Sequence, residues 1–431
     1  MEYYPLRRAL NIGFISTRFS GTDGVSLETS KWAEVLNLVG HNCFYFSGLS
    51  DRPADCSYVV PEAYYRHPDV EYRHLEFYGR TTRTAEDSEW IHSWTARFKT
   101  HLYNYINKFE IDVLIPENIL AIPLQIPLAM AVTELIAETG IPTIAHHHDF
   151  SWERKRFLVN GVGDYLSMAF PPDLPSIQHV VINTQGQQAL ASRRGITSDI
   201  IPNVMRYEKE PQGIDPYAAD LRKTLGIRDD QIFVLQPTRV IQRKGIEHAI
   251  ELVQRLDRDA VLVISHASGD EGNEYEQRVR EYAKMLNVNT LFCDEHFDEF
   301  RRIDENGRKI YSFNDAYLHA DLVTYPSTIE GFGNAFLEAV YFKKPIVVNN
   351  YSIYATDIKP LGFKVIEIDD FVTEETVHRT NEVLNNAALS NAMVETNYTL
   401  ALQHFSYRIL WRQLDILIAN LVGARPNLAL D

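Results

Sequence analysis

Pro326-Ser327-Thr328-Ile329-Glu330-Gly331-Phe332-Gly333-Asn334-Ala335-Phe336-Leu337-Glu338-Ala339 follows the apolar run Leu322-Val323-Thr324 and leads into a helical pattern over Ala335 to Phe342. A strand, a glycine turn and a helix in that order make one βα unit. Gly331 and Gly333 allow the backbone a tight turn and a close approach to a ligand. Free N–H groups at the start of the helix favour an anion there. Glu330 precedes the turn, and Glu338 in the early helix can reach back to the same place. Carboxylates accept hydrogen bonds from sugar hydroxyls. Taken singly, these residues are equally those of an ordinary glycine-rich turn with two solvated acids.

The same alternation recurs on both sides of this stretch. Ile232-Phe233-Val234-Leu235, Val261-Leu262-Val263-Ile264 and Ile346-Val347-Val348 are continuous apolar runs, as expected of strands buried on both faces. Helical patterns lie between them, near Ile246 to Leu256 and Glu274 to Met285. In the first half, strand candidates at Leu10 to Ser16, Cys43 to Phe46, Val113 to Ile115, Thr143 to Ala145 and Val180 to Ile182 alternate with helical patterns. This predicts an α/β chain of two Rossmann-like domains, 1–205 and 206–406, with a C-terminal helix in 407–431 whose return to the first domain is left open. Tyr207 to Asp220, with Pro211, Gly213 and Pro216, reads as a linker. Ligands of such domains bind at the C-terminal ends of the strands, here in a cleft between the two. Residues 50–110 carry no motif.

A chain of 431 residues accommodates two or three domains. Its 42 Lys plus Arg against 58 Asp plus Glu, a formal charge of −16, exclude a general nucleic-acid or basic membrane-surface binder. Three scattered cysteines, Cys43, Cys56 and Cys293, give neither a disulfide framework nor a zinc cluster, which fits a reduced, cytoplasmic setting. The N-terminus lacks the apolar core of a signal peptide. The longest apolar stretch, Ile119 to Val132, is interrupted by Pro123, Gln125 and Pro127 and is too short to span a bilayer.

Three further segments carry chemistry. Pro237-Thr238-Arg239-Val240-Ile241-Gln242-Arg243-Lys244-Gly245 follows a strand, and its cations suit a diphosphate unless they are simply solvated. The loop Ser20-Gly21-Thr22-Asp23-Gly24-Val25-Ser26 joins the first strand to the first helix. Ala145-His146-His147-His148-Asp149-Phe150 ends another strand and is followed by Arg154-Lys155-Arg156. Adjacent strand residues point to opposite faces and cannot chelate together, so no metal site is expected. His148 and Asp149 are otherwise a structural histidine and a helix cap, and the three cations one face of a solvated helix.

These segments together resemble the retaining nucleotide-sugar glycosyltransferases of family four, which have the GT-B fold. The mark of that family is Glu-x7-Glu, matched by Glu330 and Glu338 around Gly331-Phe332-Gly333, with Tyr317-Leu318-His319-Ala320-Asp321 and Pro326-Ser327 upstream. The resemblance implies that Glu330 holds hydroxyls of the donor sugar and Glu338 the ribose of the nucleotide. It places Gly331, Phe332, Gly333, Asn334 and Gly24 at the donor, and makes Arg239 and Lys244 the groups that neutralise the departing diphosphate. His148, at a family His-Asp step, stands beside the donor sugar. Asp149, Arg154, Lys155 and Arg156 fall on the acceptor-side domain and are acceptor-binding candidates. The sequence departs from the pattern at Thr238, where the family has glycine. It departs again in the turn Ser265-His266-Ala267-Ser268-Gly269, at Ile201-Pro202-Asn203-Val204, where a glycine is missing, and in Asn349 to Tyr354, which replaces a glycine-rich turn.

The implied activity is that of a retaining, metal-independent hexosyltransferase without a cofactor. Its donor is a nucleoside-diphosphate sugar, UDP-, GDP- or ADP-linked, and its acceptor a small soluble molecule, with a phosphate or carboxylate as one option. Nucleic acid and integral membrane association are not expected. Two alternatives stay open: a retaining disaccharide phosphorylase of the same fold, and a non-catalytic sugar- or nucleotide-binding protein.

Overall fold

The computed structural model describes residues 9–21, 23–268 and 274–423. Thr22 of the first loop, Gly269 of the Ser265–Gly269 turn and the chain ends 1–8 and 424–431 lie outside the described residues. The chain divides into two compact units, Met1–Pro202 with Tyr407–Asp431, and Asn203–Ser406.

The first unit is built on a seven-stranded sheet: β1 (Asn11–Ile15), β2 (Asn42–Ser47), β3 (Ser57–Val59), β4 (Val113–Pro116), β5 (Thr143–His147), β6 (Ile177–Val181) and β7 (Ser198–Ile200). The spatial order is β3-β2-β1-β4-β5-β6-β7, and every pairing is parallel. Parallel neighbours need crossover helices, and these cover the sheet. Helix α1 (Gly24–Leu38) starts where the Asp23 carboxylate accepts the Val25 and Ser26 N–H groups, and it buries Trp32, Val35 and Leu36. The motif-free region supplies α2 (Pro68–Phe77) and the 24-residue α3 (Ala85–Lys108), which opens on a Thr84–Asp87 capping box. Helix α3 packs on α4 (Ile126–Thr139), whose Leu128, Leu135 and Ile136 are fully buried. The apolar run Ile119 to Val132 is therefore core. No helix among the described residues is long and apolar enough to cross a membrane.

The second unit carries a six-stranded parallel sheet: β8 (Ile232–Gln236), β9 (Ala260–Ile264), β10 (Thr290–Phe292), β11 (Leu322–Tyr325), β12 (Ile346–Asn349) and β13 (Ile366–Ile368), in the order β10-β9-β8-β11-β12-β13. Helices α5 (Ile246–Arg255) and α6 (Asn334–Tyr341) follow β8 and β11. The expected linker begins as part of this unit. Tyr207 is buried, donates its hydroxyl to the Leu337 carbonyl at 2.8 Å and receives the Tyr398 hydroxyl on its own carbonyl at 2.7 Å. Proline and glycine marked an irregular path here, and aromatic burial made that path part of the core. The last helix, α7 (Tyr407–Val422), belongs to the first unit, where it packs on α1 and donates the Tyr407 hydroxyl to Glu34 at 2.8 Å.

Candidate functional site

In the second unit the conspicuous feature at the C-terminal sheet edge is a charge cluster. Lys244 ends a short 3-10 turn after β8, and Glu330 follows β11, the neighbouring strand. Gly245 makes the approach of the two loops possible: its backbone is left-handed (φ +58°), and a Cβ there would lie 2.6 Å from the Pro326 carbonyl oxygen. Thr328 N–H then donates to the Arg243 carbonyl at 2.9 Å, lacing the loops together. The Lys244 ammonium contacts Glu330 Oε1, and Arg243 reaches Glu330 Oε2 at 3.1 Å and the Ile329 carbonyl at 3.0 Å. Burial pushes the Glu330 carboxyl up, but Lys244 and Arg243 outweigh burial and hold it below the usual carboxylate range. Burial lowers Lys244, against the pull of Glu330. Arg243, an additional cation in the sequence, is thus the second partner of Glu330.

Arg239 is exposed and makes no ion pair among the described residues. Its charge and that of Lys244 nonetheless reach His266, which burial and these cations lower to about 4. His266 stacks on Phe313 with ring centres 4.0 Å apart. Thr238 is buried, and its hydroxyl accepts the Gln236 amide at 2.8 Å, while Thr324 donates to Gln236 at 2.7 Å. The side chain that replaces the family glycine thus closes a hydrogen-bonded ladder at the ends of β8 and β11.

Gly333 caps α6 in a positive-φ conformation (+132°), with the Tyr351 hydroxyl 2.5 Å from where a Cβ would stand. That hydroxyl donates to the Phe332 carbonyl at 2.7 Å. Tyr351 is one of the residues sequence reasoning missed: it comes from the Asn349–Tyr354 turn, which the family leaves to glycine. Asn349 donates to the Ser327 carbonyl at 3.2 Å. Asn334 accepts from Asn203 at 2.8 Å, and Glu338 accepts the Tyr317 hydroxyl at 2.7 Å. Glu330, Lys244 and the turn Gly331-Phe332-Gly333 are brought together, whereas Glu338 lies one helical stretch further on, against Tyr317.

In the first unit, His148 follows β5 with its imidazole turned inward. Its Nε2 lies 3.5 Å from Glu117 Oε2, and His146 Nδ1 lies 2.9 Å from the same oxygen. Trp32 stacks on His146 at 4.1 Å. Burial raises Glu117 to about 7, against the pull of His148, and burial lowers His146 to about 3 and also lowers His148. Asn118, in a left-handed conformation (φ +58°), accepts the His148 N–H at 3.0 Å and donates to Asp149 at 2.9 Å. Asp149 also accepts the Arg154 Nε–H at 2.6 Å, so it ties a loop together and caps no helix. Glu117 and Asn118 were invisible as site residues, because only the β4–β5 pairing brings them to His148.

The argument from alternating faces applies to His146 and His147 but not to His146 and His148, which stand two apart. With Glu117 they form the one group among the described residues whose donor atoms, within 4.8 Å of one another, have metal-binding spacing. His147 points the other way, to His179 at 3.0 Å. Lys155 and Arg156 are exposed at the start of a short helix, Lys155–Leu158. Gly24 opens α1 with nothing within 4 Å of a Cβ, so the fold does not require glycine there.

The family model described as "Glycosyl transferases group 1" matches residues 218–399. The chain is 31% identical over 432 residues to the mannosylglucosylglycerate synthase of Thermotoga maritima, covering 92% of this chain and 97% of that enzyme. It is 31% identical over 397 residues to the enzyme of the same name from Petrotoga mobilis, with 86% and 90% covered. Among solved structures, a glycosyltransferase from Rickettsia africae superimposes with a TM-score of 0.69 at 14% identity, covering 96% of this chain and 99% of that one.

Proposed function

The chain belongs to the group 1 glycosyltransferases and has their GT-B fold, and from that premise we propose a retaining, metal-independent hexosyl transfer from a nucleoside-diphosphate sugar. The observation that carries this reading is the cluster of Lys244, Arg243 and Glu330, with Arg239 exposed on the same loop. A cation held in place next to a helix start, as Lys244 is by Glu330, meets the charge that develops on a departing diphosphate without rearranging during reaction. Lys244 and Arg239 take that role. Glu330, kept ionised by its neighbours, has lone pairs left to accept sugar hydroxyls. Glu338 takes the ribose. The bond from the anomeric carbon to the diphosphate breaks, and an acceptor hydroxyl attacks from the same face. Its proton passes to the leaving phosphate oxygen. No second protein nucleophile is needed.

Both relatives are named for making mannosylglucosylglycerate. This supports a small, soluble, sugar-bearing acid of the glucosylglycerate type as the acceptor and a mannosyl donor as the first to try. The test is incubation of the purified chain with GDP-mannose, UDP-glucose or ADP-glucose and glucosylglycerate, with the anomeric configuration of the product read by NMR. Release of nucleotide together with a product of retained configuration is expected. Inversion overturns the retaining mechanism. Turnover only with free phosphate makes the chain a phosphorylase, and no turnover with any donor overturns the reading.

A further inference from the structure

We propose that Arg18, Tyr65, Arg66 and Arg156 form a subsite on the first unit for the carboxylate or phosphate of the acceptor, an inference that rests on the glycosyl-transfer reading above. The three arginines stand on separate connections leaving the C-terminal ends of parallel strands: Arg18 in a two-residue strand after β1, Arg66 in a turn after β3, and Arg156 in the short helix after β5. Tyr65 joins two of them. The Arg18 guanidinium carbon lies 5.6 Å from its ring centre and that of Arg66 5.8 Å. Arg156 feels Tyr78 and Asp149 electrostatically and Tyr65 most weakly, so it stands at the same sheet edge without a contact to the Tyr65 ring.

The placement of Tyr65 is forced by the backbone. Gly48, just past β2, has no room for a side chain, since a Cβ would lie 1.9 Å from the Tyr64 nitrogen. The Gln125 amide donates to the Glu62 carbonyl at 2.8 Å and also holds this segment. A stretch without a motif is thereby pinned at the sheet edge from which His148 also leaves. The charges there are not all internally neutralised. Arg18 pairs with Asp23 at 2.8 Å, and Arg154 pairs with Asp149. Arg156 has no ion pair among the described residues and lies over the Phe157 ring at 4.5 Å, beside the like-charged Arg154. Bulk charge does not account for such a cation, because residues 1–205 hold 17 Lys plus Arg against 23 Asp plus Glu. Planar guanidinium forks and a tyrosine hydroxyl are the donors that recognise a carboxylate or a phosphate.

The experiment is calorimetric binding of glucosylglycerate and of glucosylglycerol, which lacks the carboxylate, to the wild-type chain and to Arg156→Ala, Arg18→Ala/Arg156→Ala and Tyr65→Phe. Thermal unfolding checks the fold of each variant, and the exposed Arg156→Ala serves should the double variant not fold. Wild type is expected to bind the acid at least tenfold more tightly than the neutral analogue. Arg156→Ala is expected to remove most of that preference, and the double variant all of it. Equal affinities in the wild type, or a preference that survives in Arg156→Ala, overturn the subsite. Turnover is read separately: a charge preference in binding without transfer from any nucleotide sugar leaves the subsite standing and removes the transferase reading.

Discussion

Glu117 and Glu330 are buried carboxylates at the C-terminal ends of parallel strands, one in each unit, and their surroundings drive them in opposite directions. Glu330 meets an ammonium and a guanidinium and stays ionised despite burial. Glu117 meets imidazoles that burial itself keeps neutral, and its carboxyl rises to about 7. Burial disfavours charge in both places, and only a permanent cation reverses the outcome. One edge is therefore built to carry fixed charge and the other to carry a neutral hydrogen-bonded network.

The largest expected effect comes from breaking the charged edge. In the proposed transfer, Lys244→Ala removes stabilisation of the leaving group, worth about 3 kcal/mol of barrier. It also leaves Glu330 with Arg243 alone, at a cost of about 3 kcal/mol of stability. Turnover should fall at least a hundredfold and the unfolding midpoint should drop. Arg239→Ala, at an exposed position without an ion pair among the described residues, should lose a similar factor in turnover with the midpoint unchanged. Turnover near that of the wild type in both variants would remove the charged edge from the mechanism.

Next comes pH at the neutral edge. With its folded pKa raised from 4.5 to about 7, Glu117 gives the native state the extra proton between those values. Its contribution is full below pH 4.5 and is lost as pH rises through 7, by about 3 kcal/mol. Glu117→Gln cannot ionise, so its stability relative to wild type should rise from pH 5 to pH 8, as measured by urea unfolding at both. A parallel offset at the two pH values would place a charged Glu117 in the folded protein.

Smaller effects sharpen the contrast. Turnover should be unchanged by EDTA, because the proposed mechanism gives the diphosphate side-chain cations for its charge. Loss of activity with EDTA that returns with a divalent ion would turn attention to Glu117, His146 and His148 as ligands. Gly24→Ala should move the unfolding midpoint by less than about 1 °C, having open space for its methyl. A fall in turnover of the stable variant would then report a ligand passing close to that backbone.

The sequence by itself determined the alternation of strands and helices, the parallel sheets and the position of Glu330 and Lys244 at strand ends. These follow from local properties: continuous apolar runs for doubly covered strands, and glycines where the chain must turn sharply. The helix near Glu274 to Met285 was legible as well. Whatever depends on which strands are neighbours was decided by the tertiary structure alone. The pairing of β4 with β5 brings Glu117 and Asn118 to His148 and Asp149, some thirty residues away. The pairing of β8 with β11 turns Arg243 from a spare cation into a partner of Glu330. Gly48 and Gln125 carry Tyr65 and Arg66, from a region without motifs, to the edge where Arg156 stands. Parallel pairing joins residues through crossovers of a dozen or more positions, so no local pattern encodes which side chains will meet.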